Sequence, residues 1–544
     1  MRLFRGMVTV TLAIAALWTL AWLAARPAGA QSGPPDTLRI ALVEEPGTLN
    51  PVVGTLAVES DLAAMIFSGL TRYDDRGNQI PDLAERVPTR ANGGISADGK
   101  TITYHLVHNA HWHDGVPVTS DDVKFTFEAL MNRSNNVVNR EPYDEMLRVE
   151  TPDKYTVKIV LRRTWAPAID GFSDRIDGAI VPAHLLRKLG DLNHADFNAA
   201  PIGSGPYKFV AWHHGSDMTL DADPAFYRGA PKIPHIVVRF LENDNTMLIA
   251  LRTHDVDVGD TLNISTFTNL AGTPGLIPVS NAKTYFEHLT FNTAHPPLDD
   301  RRVRQALCYA LDVHEIYRNV YHNLGALGPG SINPVTPWYN HRVGDYPFDP
   351  KRAAQLLDDA GWKIGPDGTR ARNGQRLTLT LISTASNITR AQTMVLLQQR
   401  WKAIGIDVSV KTFPAATMFA QAANGGPFYG GKFDVGLAAL INATPDPNEL
   451  NLNTDGAIPP NGNNTSFYHN AELTHLEDAA AQTFDVAARK RMYDRIQEIV
   501  AREVPYYTLN WLPVNDVHVP GLDGVRPTIV NSTFWNIADW QLKR

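Results

Sequence analysis

The 544-residue sequence predicts a mixed α/β chain folded as two lobes, and three observations lead there. Once an N-terminal leader is set aside, about 514 residues remain, more than one hydrophobic core accommodates, so two or three domains are expected. From residue 36 to about 280, short strands with turn signals dominate, whereas after 298 the pattern turns helical and α/β, with a composition shift near 283–298. Thr284 to Thr293 and Val504 to Val514 both read as strands, placed to cross between the two parts, and two crossings make a hinge.

The elements follow in chain order. Arg2 and Arg5, an apolar run from Met7 to Ala25 and the small-residue site Ala28-Gly29-Ala30 before Gln31 form a secretory signal, with cleavage expected after Ala30. The run is also long enough to span a bilayer, so a retained anchor is the alternative. No cysteine follows it, which excludes a lipid-anchored cysteine. Asp98-Gly99 makes a turn, and Thr101 to Val107 alternates Ile102, Tyr104 and Leu106 with polar residues as a strand with one buried face. Asp114-Gly115 turns the chain again. Thr119, with Asp122 three residues on, signals a capping box for a helix over 121–131, and a further helix is expected over 183–189. Asp349 is an N-cap with Pro350 at the first helical position, where its missing N–H costs nothing, and Gly361 ends that helix. Arg390 to Ala403 is helical, closed by Gly405 and followed by the strand Ile406, Val408, Val410. Ala471 to Gln482 and Arg489 to Glu503 are two more helices. There is no internal repeat or low-complexity tract.

The formal charge of −7 becomes −10 on loss of Arg2, Arg5 and Arg26 with the leader. That argues against nucleic acid, whose phosphates need a basic patch. Cys308 is the one cysteine and has no partner for an internal disulfide; beside Leu307 in a helical pattern it is expected to pack in a core.

Particular wordings in the chain resemble a known family. Thr101 to Leu106, Trp112-His113-Asp114-Gly115 and Asp121-Asp122-Val123-Lys124-Phe125 stand in order with Leu38-Arg39-Ile40-Ala41, Thr48-Leu49-Asn50-Pro51, Pro81-Asp82-Leu83-Ala84-Glu85 and Pro201 to Tyr207. Phe291-Asn292-Thr293, Val303-Arg304-Gln305-Ala306-Leu307 and Phe348-Asp349-Pro350 to Trp362 continue the series. This series resembles the family 5 solute-binding proteins of ABC importers, which include dipeptide-, oligopeptide- and nickel-binding proteins. The resemblance implies a two-lobed periplasmic binding protein-like fold of class II type, with an extra subdomain in the first lobe and a C-terminal return to that lobe. The expected division is a signal peptide over 1–30, lobe I from 36–70 with 203–285 and 512–544, the extra subdomain over 71–202, and lobe II over 286–511.

Catalytic constellations do not emerge. Gly203-Ser204-Gly205 lacks the spacing that exposes a nucleophilic serine and reads as a turn. His105, His108, His111 and His113 are close together, but without an H-E-x-x-H helix they read as turn and surface residues. Asp255, Asp257 and Asp260 match a calcium loop only in part, since the closing bidentate glutamate is missing. No catalytic residue, metal site or cofactor is therefore assigned, and the chain is expected to be a binder rather than an enzyme.

The resemblance also bears on the ligand. Peptide-holding members are similar to one another in a tryptophan and, three residues later, an aspartate that meets the ligand's α-ammonium, just upstream of an Asp-Pro pair. Counting back from Asp446-Pro447 places Leu440 and Ala443 there. Leaving one member of a buried charge pair unpaired costs about 2–5 kcal/mol, a loss of about 30- to several thousand-fold in affinity. Glu59 and Asp446 are candidate replacement carboxylates. Arg390 stands near the position where dipeptide binders place the arginine that grips the ligand carboxylate, a bond two parallel N–H groups suit. Asn442 and Trp511 are candidates for a polar contact and an apolar platform. The expected role is the periplasmic substrate-binding component of an ABC importer, a monomer that captures a peptide or peptide-like solute and delivers it to a permease in the inner membrane. The alternatives are a non-peptide solute (opine, oligosaccharide or metal chelate) and, in another class, a periplasmic hydrolase.

Overall fold

The computed structural model describes residues 36–137, 140, 143–173, 178–241, 243–270, 272–385, 387–441, 446–526, 528 and 532–543. The leader, Asn442 and Ala443 lie outside the described residues. A ten-stranded mixed sheet runs through the chain. Its strands are β1 (Thr37–Leu42), β2 (Tyr207–His213), β3 (Asp217–Ala222), β4 (His235–Phe240), β5 (Val258–Gly259), β6 (Ile277–Phe291), β7 (Thr378–Thr384), β8 (Asp407–Phe413), β9 (Val435–Ile441) and β10 (Tyr506–His518). Their order across the sheet is β8-β7-β9-β6-β10-β5-β1-β4-β3-β2.

Two lobes share this sheet because β6 and β10 belong to both. Over Ile277 to Ala282, β6 pairs with the end of β10, which also takes β5 through Val258↔His518 and Gly259↔Val517. Over Tyr285 to Phe291, the same strand pairs with β9, from Tyr285↔Ile441 to Phe291↔Val435. The ladder between β6 and β10 shifts register between Ala282 and Phe286, where the chain passes from one lobe to the other. Both strands run further into the first lobe than their sequence suggests. Ile277 to Lys283 carries a proline, an asparagine and a lysine, which erase the alternation that marks a strand.

In the first lobe, Leu38, Ile40 and Leu42 of β1 pack with Leu62, Met65 and Ile66 of the helix Ala57–Ile66, and Phe534, Ile537 and Trp540 return from the C-terminal segment to the same core. That segment is fastened further by the pairing of Leu522–Asp523 with Gln541–Leu542. A three-stranded sheet, Thr101–His105 with Thr156–Leu161 and Met146–Asp153, carries the helix Ser120–Met131. The expected cap of that helix takes a particular form. Asp122 accepts from the Thr119 amide at 2.8 Å and from its hydroxyl at 3.1 Å, and its other oxygen accepts from the Ala183 amide at 2.9 Å. One carboxylate thus caps a helix and docks the next segment. The helix expected over 183–189 is shorter, Ala183–Leu186.

In the second lobe, Leu289 and Phe291 of β6 pack with Val303, Leu307 and Cys308 of Arg301–Tyr309, Leu357 of Pro350–Asp359, and Leu397 and Trp401 of Ile388–Ala403. Asp349 caps its helix by accepting from the Arg352 amide at 2.9 Å, and Pro350 is the first helical residue. Cys308 is fully buried, and that burial pushes its thiol well above the usual range, so it packs as an inert apolar group.

Candidate ligand-binding cleft

Strand direction locates the cleft. β4, β1 and β5 are parallel to one another, and β5 is antiparallel to β10, so all three run in the direction of β6. β9, β7 and β8 are parallel to one another and run against β6. The carboxyl ends of the two parallel sets therefore face each other across the hinge. Ligands of open α/β sheets bind outside the carboxyl ends of the strands, where strand order or direction switches. From the first lobe these ends deliver the loop after Leu42, with Glu44 to Thr55, and Asp260 after Gly259. From the second they deliver Asn387 and Arg390 after Thr384 and Pro414 after Phe413, and β9 ends on the same side at Ile441.

Four of the five candidate residues are described, and each has a partner within the chain. The Glu59 carboxylate accepts from the amides of Gly47 at 3.0 Å, Thr48 at 3.1 Å, Leu56 at 2.8 Å and also Thr55. A carboxylate offers about four lone-pair sites, so Glu59 is saturated. Its work is to shape the loop after β1 and cap the helix Ala57–Ile66, and it is no replacement carboxylate for a ligand ammonium. Asp446 is likewise committed, in a fork-to-fork pair with Arg489 at 2.7 and 2.9 Å. Arg489 sits over the rings of Trp338 and Tyr493 and also donates to the Ala480 carbonyl. Trp511 is fully buried, its ring 4.9 Å from that of Phe286 and its indole N–H donating to the Gly328 carbonyl, so it is core rather than an accessible platform.

Arg390 is different. It stands one turn into a helix capped by Asn387, whose side chain accepts from the Arg390 amide at 2.9 Å. Its Nε donates to Glu287 at 2.8 Å and its Nη1 to the Thr384 hydroxyl at 2.9 Å, at the end of β7. The pair is nearly sealed, with side-chain exposures of 11% for Arg390 and 3% for Glu287. Burial pushes the Glu287 carboxyl up, and the guanidinium opposes that rise.

A second charged group sits at the crossing, and sequence reasoning missed it. Lys283 of β6 and Asp516 of β10 meet Asp260 and, from the first helix, Asp61. Asp516 accepts from the Thr261 amide at 3.0 Å and the Thr533 hydroxyl at 2.8 Å. Burial pushes Asp61 up to about 6, against a hydrogen bond from Ser532 and the field of Lys283. Asp260 is pushed well up by burial and by Asp516 and Asp61, while burial pushes Lys283 down. The available signal was Lys283, a lysine beside the strand expected to cross between the lobes.

The sequence's other polar clusters have structural work. His113 bridges the Gly203 amide and the Gly205 carbonyl. Ser204 between them is buried, and a Cβ on Gly203 would stand 1.8 Å from the Ile66 carbonyl, so this segment is glycine-rich for close backbone approach. Asp257 binds Arg39 through Nε at 3.0 Å and Nη2 at 2.8 Å, fastening β5 to β1.

Two lobes joined by a pair of neighbouring strands, with opposed strand ends lining the gap between them, define a clamp for solutes. The chain belongs to the bacterial extracellular solute-binding proteins, family 5, whose model matches residues 78–457. It is 26% identical to the oligopeptide-binding protein AppA of Bacillus subtilis, over 93% of this chain and 92% of that one. It is 28% identical to a putative ABC transporter peptide-binding protein of Brucella ovis, over 85% and 84% of the two chains. Among solved structures it is similar to NikZ of Campylobacter jejuni in complex with Ni(L-His), with a TM-score of 0.75 and 27% identity over 93% of this chain and 100% of that one.

Proposed function

We propose that this protein is the receptor of an ABC importer, holding a peptide or peptide-like solute between its lobes and presenting the closed form to an inner-membrane permease. The observation that carries the reading is the opposition of two sets of parallel-strand ends across a two-strand hinge. The peptide-binding relatives of Bacillus and Brucella support the solute class. Lobe I is taken as 36–70 with 203–285 and 512–544, the extra subdomain as 71–202 and lobe II as 286–511. The protein works as a periplasmic monomer after cleavage behind Ala30. Ligand contacts are assigned to Arg390 and Asn442. Ligand binding favours the closed population through contacts made only there.

A second reading, a non-peptide solute, is favoured by one observation: both candidate carboxylates for a ligand ammonium are committed within the chain, Glu59 to four backbone amides and Asp446 to the Arg489 guanidinium. Native mass spectrometry of protein purified from its own host separates the two. A peptide ladder among the co-purifying masses supports the first reading, and a single non-peptide mass overturns it. The same spectrum reports the mature N-terminus: a start at Gln31 supports release, and a retained Met1 overturns it.

A further inference from the structure

Among the described residues, the buried cations along the two crossing strands and beside them are answered within the chain. Lys283 lies among Asp61, Asp260 and Asp516, Arg489 is held by Asp446, and Arg390 by Glu287. The first group has three carboxyls to one ammonium, so among the described residues the hinge side of the cleft offers no spare positive charge. Behind Glu287 the surroundings are oxygen-rich. Asn510 stands directly across the ladder on β10, with its amide donating to the Leu324 carbonyl at 3.1 Å and its Oδ1 without a hydrogen-bond partner among the described residues. The Tyr321 hydroxyl, whose neighbours include Glu287, is also buried there. Of the Arg390 guanidinium, Nε and Nη1 are engaged, and Nη2 is the end that has no acceptor among the described residues.

An isolated guanidinium takes a carboxylate through two parallel charge-assisted bonds. A guanidinium already paired to a buried carboxylate does not, because a second carboxylate brought to it meets the first at close range in a poorly screened site. A carbonyl or hydroxyl oxygen accepts from Nη2 without that repulsion. We propose that Glu287 is a specificity-determining residue: it keeps Arg390 in a closed ion pair, so that solutes reach this arginine through an uncharged oxygen, an amide carbonyl or a hydroxyl, while a free carboxylate is turned away. This rests on the placement of Arg390 in the cleft made above, and it narrows the solute class to peptides or peptide-like chains that present an internal or capped carbonyl here. Selectivity of this kind works by a built-in repulsion as much as by a new contact.

The test compares tetra-alanine as free acid and as C-terminal amide, by titration calorimetry on the wild type, Glu287→Gln and the double variant Glu287→Gln with Arg390→Met. Glutamine keeps the oxygen that accepts from Nε and removes the charge. The wild type is expected to bind the amide at least as tightly as the acid. Glu287→Gln should shift the ratio at least tenfold toward the acid, and the double variant should cancel that shift. A tenfold wild-type preference for the acid, or an unchanged ratio in Glu287→Gln, overturns the proposal. If neither peptide binds any of the three proteins, the peptide reading falls instead, and line broadening of labelled acetate decides the charge rule. Broadening by Glu287→Gln alone supports it; equal broadening by the wild type, or none by Glu287→Gln, overturns it. Should Glu287→Gln fail to fold, the wild-type acid-to-amide ratio decides by itself.

Discussion

Asp446 and Arg489 illustrate how a residue that reads as a ligand contact turns out to be a fastening. Both side chains are more than nine-tenths buried, at 8% and 6% exposure, and Arg489 donates two hydrogen bonds to the Asp446 carboxylate. Removing one member leaves the other charged and dry, which costs about 3–5 kcal/mol. Arg489→Met should therefore lower the unfolding free energy by that much, read as a lower urea midpoint at an unchanged slope, and the double variant with Asp446→Leu should recover a large part of it. A second residue-scale expectation concerns Gly203. Its missing Cβ leaves room for the Ile66 carbonyl, so Gly203→Ala forces the backbone to give way, at about 1–3 kcal/mol or more. Ser204→Ala, which removes a buried hydroxyl without a partner among the described residues, should be neutral or stabilising in the same urea titration.

Among elements, the crossing strands carry the pH dependence. Asp61 titrates near 6 in the folded protein against 3.8 ordinarily, because burial outweighs Lys283 and Ser532. Between those values the native state binds more protons than the unfolded chain, so this group makes stability fall as pH rises from about 4 to about 6, with the full penalty present above 6. Asp260, pushed up in the same sense, adds to the trend. Asp61→Asn should flatten the slope of unfolding free energy between pH 4 and 6.5 and gain roughly 1–3 kcal/mol at pH 7, measured by urea denaturation across that range. An unchanged slope would show that Asp61 is solvated like an ordinary aspartate.

The elements were legible in proportion to how far local chemistry decided them. Asp349-Pro350 and Gly361 bounded their helix because a cap, a fixed φ and a left-handed turn are properties of single residues. The helix Val486–Glu503 begins three residues before its expected start, since Asp485 caps it and Val486, although exposed, still forms its first turn. The hinge cluster was not legible. Its four charged members come from positions 61, 260, 283 and 516, and only the sheet order and the packing of the first helix on it bring them together. Glu59 misled for the opposite reason. An acid in the first turn of a helix behind the cleft loop reads equally well as a ligand carboxylate or a cap, and only its four amide partners separate the two.

For the whole molecule the expected event is closure. With a solute that binds, small-angle scattering should show a smaller radius of gyration, and an unchanged radius at saturation would defeat the clamp. The hinge is a ribbon of two hydrogen-bonded neighbours, β6 and β10, so the lobes bend together rather than swing on separate tethers. The described chain begins in β1 and ends at the pairing of Leu522–Asp523 with Gln541–Leu542, and both ends pack on the first lobe's core. Dyes attached near Thr37 and Leu542 would therefore ride on one rigid body and stay blind to closure, whereas a dye on the helix Pro350–Asp359 paired with either end would report it as a change in energy transfer. A surface anchored through either terminus would likewise hold one jaw still and leave the other free to move.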